Sequence, residues 1–173
     1  VLNKGGIYMV AREIILENFD IVAIAEMGSG TFGKTGTNTA TFFLRKKKVK
    51  PDYAVHARNR VDAWFAGDFS ADDTFDDRDI LKRYAATIGV SVKDYKTLLN
   101  GKPSKELLAS EVFKRYYEEF SSSTKAKKLK DVQVREQYIV SAIIECEKFK
   151  LRIFMLASVN PNEVVVVKSP TGS

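Results

Sequence analysis

The octapeptide at residues 28–35, GSGTFGKT, constrains the fold more than any other stretch of this chain. It matches G-x-x-x-x-G-K-[ST], the loop that cradles phosphates in nucleotide hydrolases. Such a loop works only where a helix starts directly after it. The helix N-terminus then supplies free amides and the positive end of its dipole. Here the preceding run, IVAIAEM, is short, apolar and rich in β-branched residues, and predicts a strand at 21–26 covered on both faces. After the loop come Gly36 and TNTATFFLRKK, in which threonines alternate with aromatics, predicting a second strand rather than a helix. A nucleotidase also needs a later apolar strand ending in Asp for magnesium, and EVVVVK ends in Lys. The repeated βαβ units of that fold are missing too. The glycine-rich stretch is therefore expected to join two antiparallel strands, roughly 21–26 and 38–45, as a wide hairpin.

The rest of the chain reads as helix. Ile7, Val10, Ala11, Ile14 and Ile15 define an apolar face before the first strand, with Asn18 as the exit. The composition shifts after RKKKVKP, where Pro51 and the charge run mark a boundary. From there Ala54, Ala57, Val61, Trp64 and Phe65 share one helix side, over roughly 52–66. Ile80, Leu81, Tyr84, Ala85 and Ile88 share another, stopped by Gly89. Ser91 with Asp94 is a capping-box pattern. Leu107, Leu108, Val112, Phe113, Tyr116, Tyr117 and Phe120 stripe a single further helix, and SSSTKAKKLK reads as a polar, basic connector. A long helix follows, with Ile139, Ala142, Ile143, Cys146, Phe149 and Ile153 on one face, expected to meet Trp64 and the 107–120 stripe. Asn160-Pro161 stops it, and EVVVVK closes as a strand. The expected class is α+β, mostly α.

One cysteine in 173 residues excludes an internal disulfide and offers no metal cluster. No apolar run is long enough to cross a bilayer, and no secretion signal is visible, so the expected compartment is cytoplasmic. The chain starts without Met inside what reads as a turn and stops just past a strand signal, which reads as a piece of a longer protein. A net charge of +6 permits a nucleic-acid partner without requiring one. Its sharpest clusters are Arg45, Lys46, Lys47 and Lys48 with Lys50, and Lys125, Lys127, Lys128 and Lys130. Each could contact DNA phosphates or be a solvated linker. His56, the only histidine, lies in a charged helix, and Cys146 reads as a small hydrophobe on an apolar stripe, not as a nucleophile. Asp72, Asp73, Asp76, Asp77 and Asp79 lack calcium-loop spacing and read as a solvated acidic loop. No metal is expected.

The order of helix, IVAIAEM, GSGTFGKTGTNT and ATFFLRKK resembles the end of the catalytic domain in the adenine-specific DNA methylases (M subunits) of type I restriction-modification systems. The opening LNKGGIYMVAREIIL also looks like the segment after that family's Leu-Pro-Ser-Ser turn. The resemblance covers about residues 1–48. It implies a terminal strand pair at the edge of a Rossmann-like methyltransferase sheet, in a full protein that moves a methyl group from S-adenosylmethionine to adenine N6. Its partners would be DNA and the specificity subunit. Residues 1–48 would be the C-terminal piece of the catalytic domain, and 49–173 a helical extension. The family's Asn/Asp-Pro-Pro-aromatic motif is missing, because no two of the four prolines are adjacent. Its glycine-containing cofactor motif cannot be placed either. No catalytic or cofactor-binding residue is therefore expected in this chain, and both motifs would lie upstream.

One role carries over from the resemblance. Enzymes that modify a base swing it out and stack it on apolar groups. Phe32, alone in a Gly/Thr loop, matches the aromatic that packs the flipped adenine, or else plugs the loop into the core. The loop is expected to stay mobile until DNA arrives. The competing reading is a non-catalytic helical module that binds protein or nucleic acid. On either reading the chain should bind neither ATP nor S-adenosylmethionine. Calorimetry with ATP is expected to give no saturable heat, and binding that Lys34→Ala abolishes would restore the nucleotidase reading.

Overall fold

The computed structural model describes residues 7–28, 39–48, 52–70, 75–161 and 163–168. The chain is α+β and mostly helical, with a small mixed sheet. Helix α1 (Ile7–Asn18) runs into β1 (Phe19–Met27), which is followed by β2 (Thr39–Lys46). Then come α2 (Tyr53–Phe65), α3 (Ile80–Thr87), α4 (Val92–Leu99), α5 (Lys105–Ala109), α6 (Glu111–Ser121), α7 (Thr124–Lys128) and α8 (Val132–Ser158), and β3 (Val165–Lys168). Residues 29–38, including Phe32 and Lys34, lie outside the described part. The first described element after them is a strand, as expected.

The sheet order is β2-β1-β3. β1 and β2 are antiparallel from Phe19↔Lys46 to Met27↔Thr39, with an irregularity between Ile21 and Ala23. β3 pairs parallel to β1, Ala23 facing Val165. Beside the irregularity, the Asn160 side chain takes the place of a neighbouring strand. Its Oδ1 accepts from the Ile21 amide at 2.9 Å and its Nδ2 donates to the Ile21 carbonyl at 3.0 Å. One amide thus satisfies both backbone groups of a β residue, and it fixes the end of α8 to the sheet.

The core is built around α8, which at 27 residues is about 40 Å long. Its buried row is Ile139, Ile143, Glu147, Leu151 and Met155, an i, i+4 series. The sequence placed the face differently. Cys146 is only partly buried, as are Phe149 and Ile153, because the row that faces the core passes through the charged Glu147. Trp64, Leu107, Phe113, Ile139 and Ile143 do belong to one cluster, which Leu16 of α1 joins. Truncating a core leucine such as Leu151 to Ala costs about 2–5 kcal/mol.

Four expectations need correction. The stripe at 107–120 is two helices, since Ser110 adopts an extended backbone (φ −63°, ψ 152°) and ends α5 before α6 begins. The basic connector holds a short helix, α7, capped by Ser123 and anchored by the fully buried Ala126. In α1, Met9, Glu13 and Leu16 face the chain, whereas Ile7, Val10 and Ile14 are exposed. β1, expected to be covered on both faces, contains no buried residue. Other readings hold. Gly89 follows α3 with φ +71°, a left-handed value that favours glycine, and the Ser91 hydroxyl accepts from the Asp94 amide.

Asn160→Ala should release β3 and the C-terminal end of α8 from the sheet, at a cost of about 1–3 kcal/mol. Amide exchange at Ile21 should accelerate well before global unfolding.

Candidate functional site

The strand pair brings three features together. First, the Met27↔Thr39 pair sets the two ends of the segment carrying Phe32 side by side. Second, at the opposite end of the ladder stand the basic residues. Arg45, Lys46 and Lys48 are exposed, but Lys47 is drawn inward. Its Nζ donates to the Leu16 carbonyl at 2.9 Å and lies 3.7 Å from Asp20. There it caps the last turn of α1, where a cation meets free carbonyls. Third, the sheet and α1 leave large apolar groups in solvent. Ile7 is 78% exposed, and Phe43 and Val165 are more than half exposed.

α1 is held to the helices by charge. Glu13, buried against them, lies 3.3 Å from Arg152 of α8 and 3.8 Å from Arg58 of α2, and Arg58 also bonds Glu17. A carboxylate flanked by two guanidinium groups offsets much of its desolvation cost.

Two buried polar clusters were not expected from the sequence. His56 Nε2 lies 2.8 Å from Asp77 Oδ2, and Arg60 donates to the same carboxylate at 3.0 Å. Asp77 is only 1% exposed, so the acidic loop is not uniformly solvated, although Asp76 and Asp79 are exposed. Tyr53 and Phe75 rings flank the imidazole. A histidine oriented by a carboxylate is half of a nucleophilic site. Cys146 does not supply the other half: it is pushed up to about 12, by burial and then by the charges of Glu147 and Glu119, and stays an unreactive thiol. The cluster instead fastens the 75–79 turn to α2, with Arg60 also bonding the Ser70 carbonyl.

The second cluster sits at the centre of α8. Glu147 Oε2 accepts from the Tyr84 hydroxyl at 2.8 Å and from the Tyr95 hydroxyl at 3.1 Å, while Oε1 has no hydrogen-bond partner among the described residues. Burial raises the carboxyl to about 7, and the two phenol donors hold it back from going higher. Burial first, and then the Glu147 charge, push both tyrosines well above their ordinary value, so they remain donors. A signal for this was present: Glu147 is flanked at i±4 by Ile143 and Leu151.

The buried Asp77 carboxylate and Glu147 Oε2 are bonded within their clusters. Glu26, at the end of β1, is exposed 3.8 Å from Lys168. A shallow groove of about 470 Å³ lies between α5, α6 and α8, lined by Leu108, Lys114, Tyr117 and Glu136. The Tyr117 hydroxyl is engaged with Glu136 there. Among the described residues no group of three or more His, Cys, Asp or Glu is placed to hold a metal ion, and no helix is long and apolar enough to cross a membrane. No family model, curated protein or solved structure matches the chain.

The Glu147 carboxyl titrates at about 7 folded against an ordinary 4.5. The folded chain therefore keeps a proton that the unfolded chain releases. The stability this confers is complete below pH 4.5 and is lost as pH rises through about 7. Relative to wild type, Glu147→Gln should gain about 2–3 kcal/mol in urea denaturation between about pH 5 and pH 8.

Proposed function

We propose that this chain is part of a DNA adenine-N6 methyltransferase, the M subunit of a type I restriction-modification system. In this reading residues 1–48 end the catalytic domain, at the edge of its Rossmann-like sheet, and residues 49–173 form a helical extension. The observation that carries it is the antiparallel ladder from Phe19↔Lys46 to Met27↔Thr39. It makes the GSGTFGKTGTN segment the connection of a strand pair, the position that the resemblance requires. The outward apolar stripe of α1 and the half-buried β1 also favour it, since a larger sheet with its own helices would cover them.

The full protein works in the cytoplasm and draws its methyl group from S-adenosylmethionine, held by residues outside this chain. Phe32 stacks on the flipped adenine. Arg45, Lys46 and Lys48 lie along the DNA backbone, with Lys47 holding the end of α1 behind them. The specificity subunit supplies target recognition.

The test is methyl transfer by the full protein, with its specificity subunit, to duplex DNA. Phe32→Ala should lower the rate more than tenfold while leaving cofactor affinity nearly unchanged, since stacking one base contributes about 1–3 kcal/mol. A full protein that transfers no methyl group to adenine would defeat the reading. An active Phe32→Ala would return Phe32 to a packing role.

A further inference from the structure

The charge of this chain is unevenly placed. Four of the nine residues at 122–130 are lysines, and none is acidic. Lys125, Lys127, Lys128 and Lys130 are all exposed, and none has a carboxylate partner among the described residues. Elsewhere on the helical body, exposed Arg115 pairs with Glu111, and Lys148 pairs with Glu145.

A run of lysines on a free linker would mean little. This one has a rigid mount. The Ser123 hydroxyl accepts from the Ala126 amide at 3.2 Å and starts α7. Ala126 is fully buried and Leu129 partly so. Immediately afterwards the Asp131 carboxylate accepts from the Val134 amide at 3.0 Å and starts α8. Lys125 lies 5.0 Å over the Tyr138 ring, which steadies its position. Ala126 and Leu129 are thus covered while the four lysines, three on α7 and one just before α8, are exposed.

We propose that Lys125, Lys127, Lys128 and Lys130 form a docking site for the phosphate backbone of duplex DNA. Unpaired, exposed ammonium groups on a fixed turn exchange condensed counterions for direct phosphate contacts, with little ordering left to do on binding. No base is read, since the segment offers no planar or bidentate side chain for base edges. An anionic lipid surface is the weaker fit, because Ala126 and Leu129 are turned into the protein and no aromatic group of the segment could enter a bilayer. The choice of DNA rests on the methylase reading. The site would hold the helical extension to the duplex while the catalytic domain works on the base.

The experiment uses the 173-residue chain and a random-sequence duplex of about 30 base pairs, titrated by anisotropy between about 50 and 200 mM salt. The comparison is a variant with all four lysines changed to Gln, whose melting should match wild type because the side chains are exposed. The variant is expected to bind at least tenfold more weakly at low salt. Its log–log salt slope should be shallower by about 3, since each phosphate contact contributes roughly 0.9. Equal affinity and slope in the two proteins overturn the site. So does binding to vesicles with about one third anionic lipid when duplex DNA is not bound. DNA binding that depends on these lysines, in a full protein that does not methylate adenine, supports the site and defeats the methylase reading alone.

Discussion

The fold depends on one packing requirement: α8 must be surrounded. Its buried residues repeat every fourth position, so the row winds slowly around the helix and presents apolar groups in successive directions. α1, α2, α3, α6 and α7 all pack on it. At the middle of the row sits Glu147, whose Oε2 accepts from the Tyr84 and Tyr95 hydroxyls. The arrangement brings α3 and α4 to defined points along α8, because a misaligned helix would leave a buried carboxyl without donors.

Most helices were legible because their apolar residues keep i, i+3 and i+4 spacing, and Ser91 and Gly89 punctuate them chemically. The break at Ser110 was hidden, since both pieces keep their apolar residues toward the same core and the periodicity runs on across it. α7 was hidden for the opposite reason: five residues with one buried alanine have no detectable period. On α8 the apolar stripe was drawn along Cys146 and Phe149 because Glu147 looked like a surface residue. Only the distant tyrosines make it a core residue. His56 with Asp77, and Asn160 with Ile21, are likewise tertiary pairings whose partners lie 21 and 139 positions away, where local spacing carries no signal. The DNA-facing role proposed for Phe32 comes from the sequence resemblance, and those proposed for the basic residues from their charge.

The two halves of the chain are joined by polar contacts as much as by apolar ones. Glu13 lies between Arg58 and Arg152, Lys47 closes the end of α1, and Leu16 beside them enters the helical core. α1 thus turns Met9, Glu13 and Leu16 inward, mixing a charge with two apolar groups, and leaves Ile7, Val10 and Ile14 in solvent. The ion pairs hold the helix without using its exposed apolar residues.

The placement of β3 has a consequence in time. The groups that complete the outer edge of β1, Asn160 and then Val165–Lys168, follow it by about 140 residues. At a ribosomal rate of roughly 5–20 residues per second, that edge waits on the order of ten seconds for its partner. During that interval an apolar strand with open amides and carbonyls is on display, while the helices between are still being added. Slow elongation anywhere between α2 and α8 would lengthen the time that this open edge is free to pair with another chain.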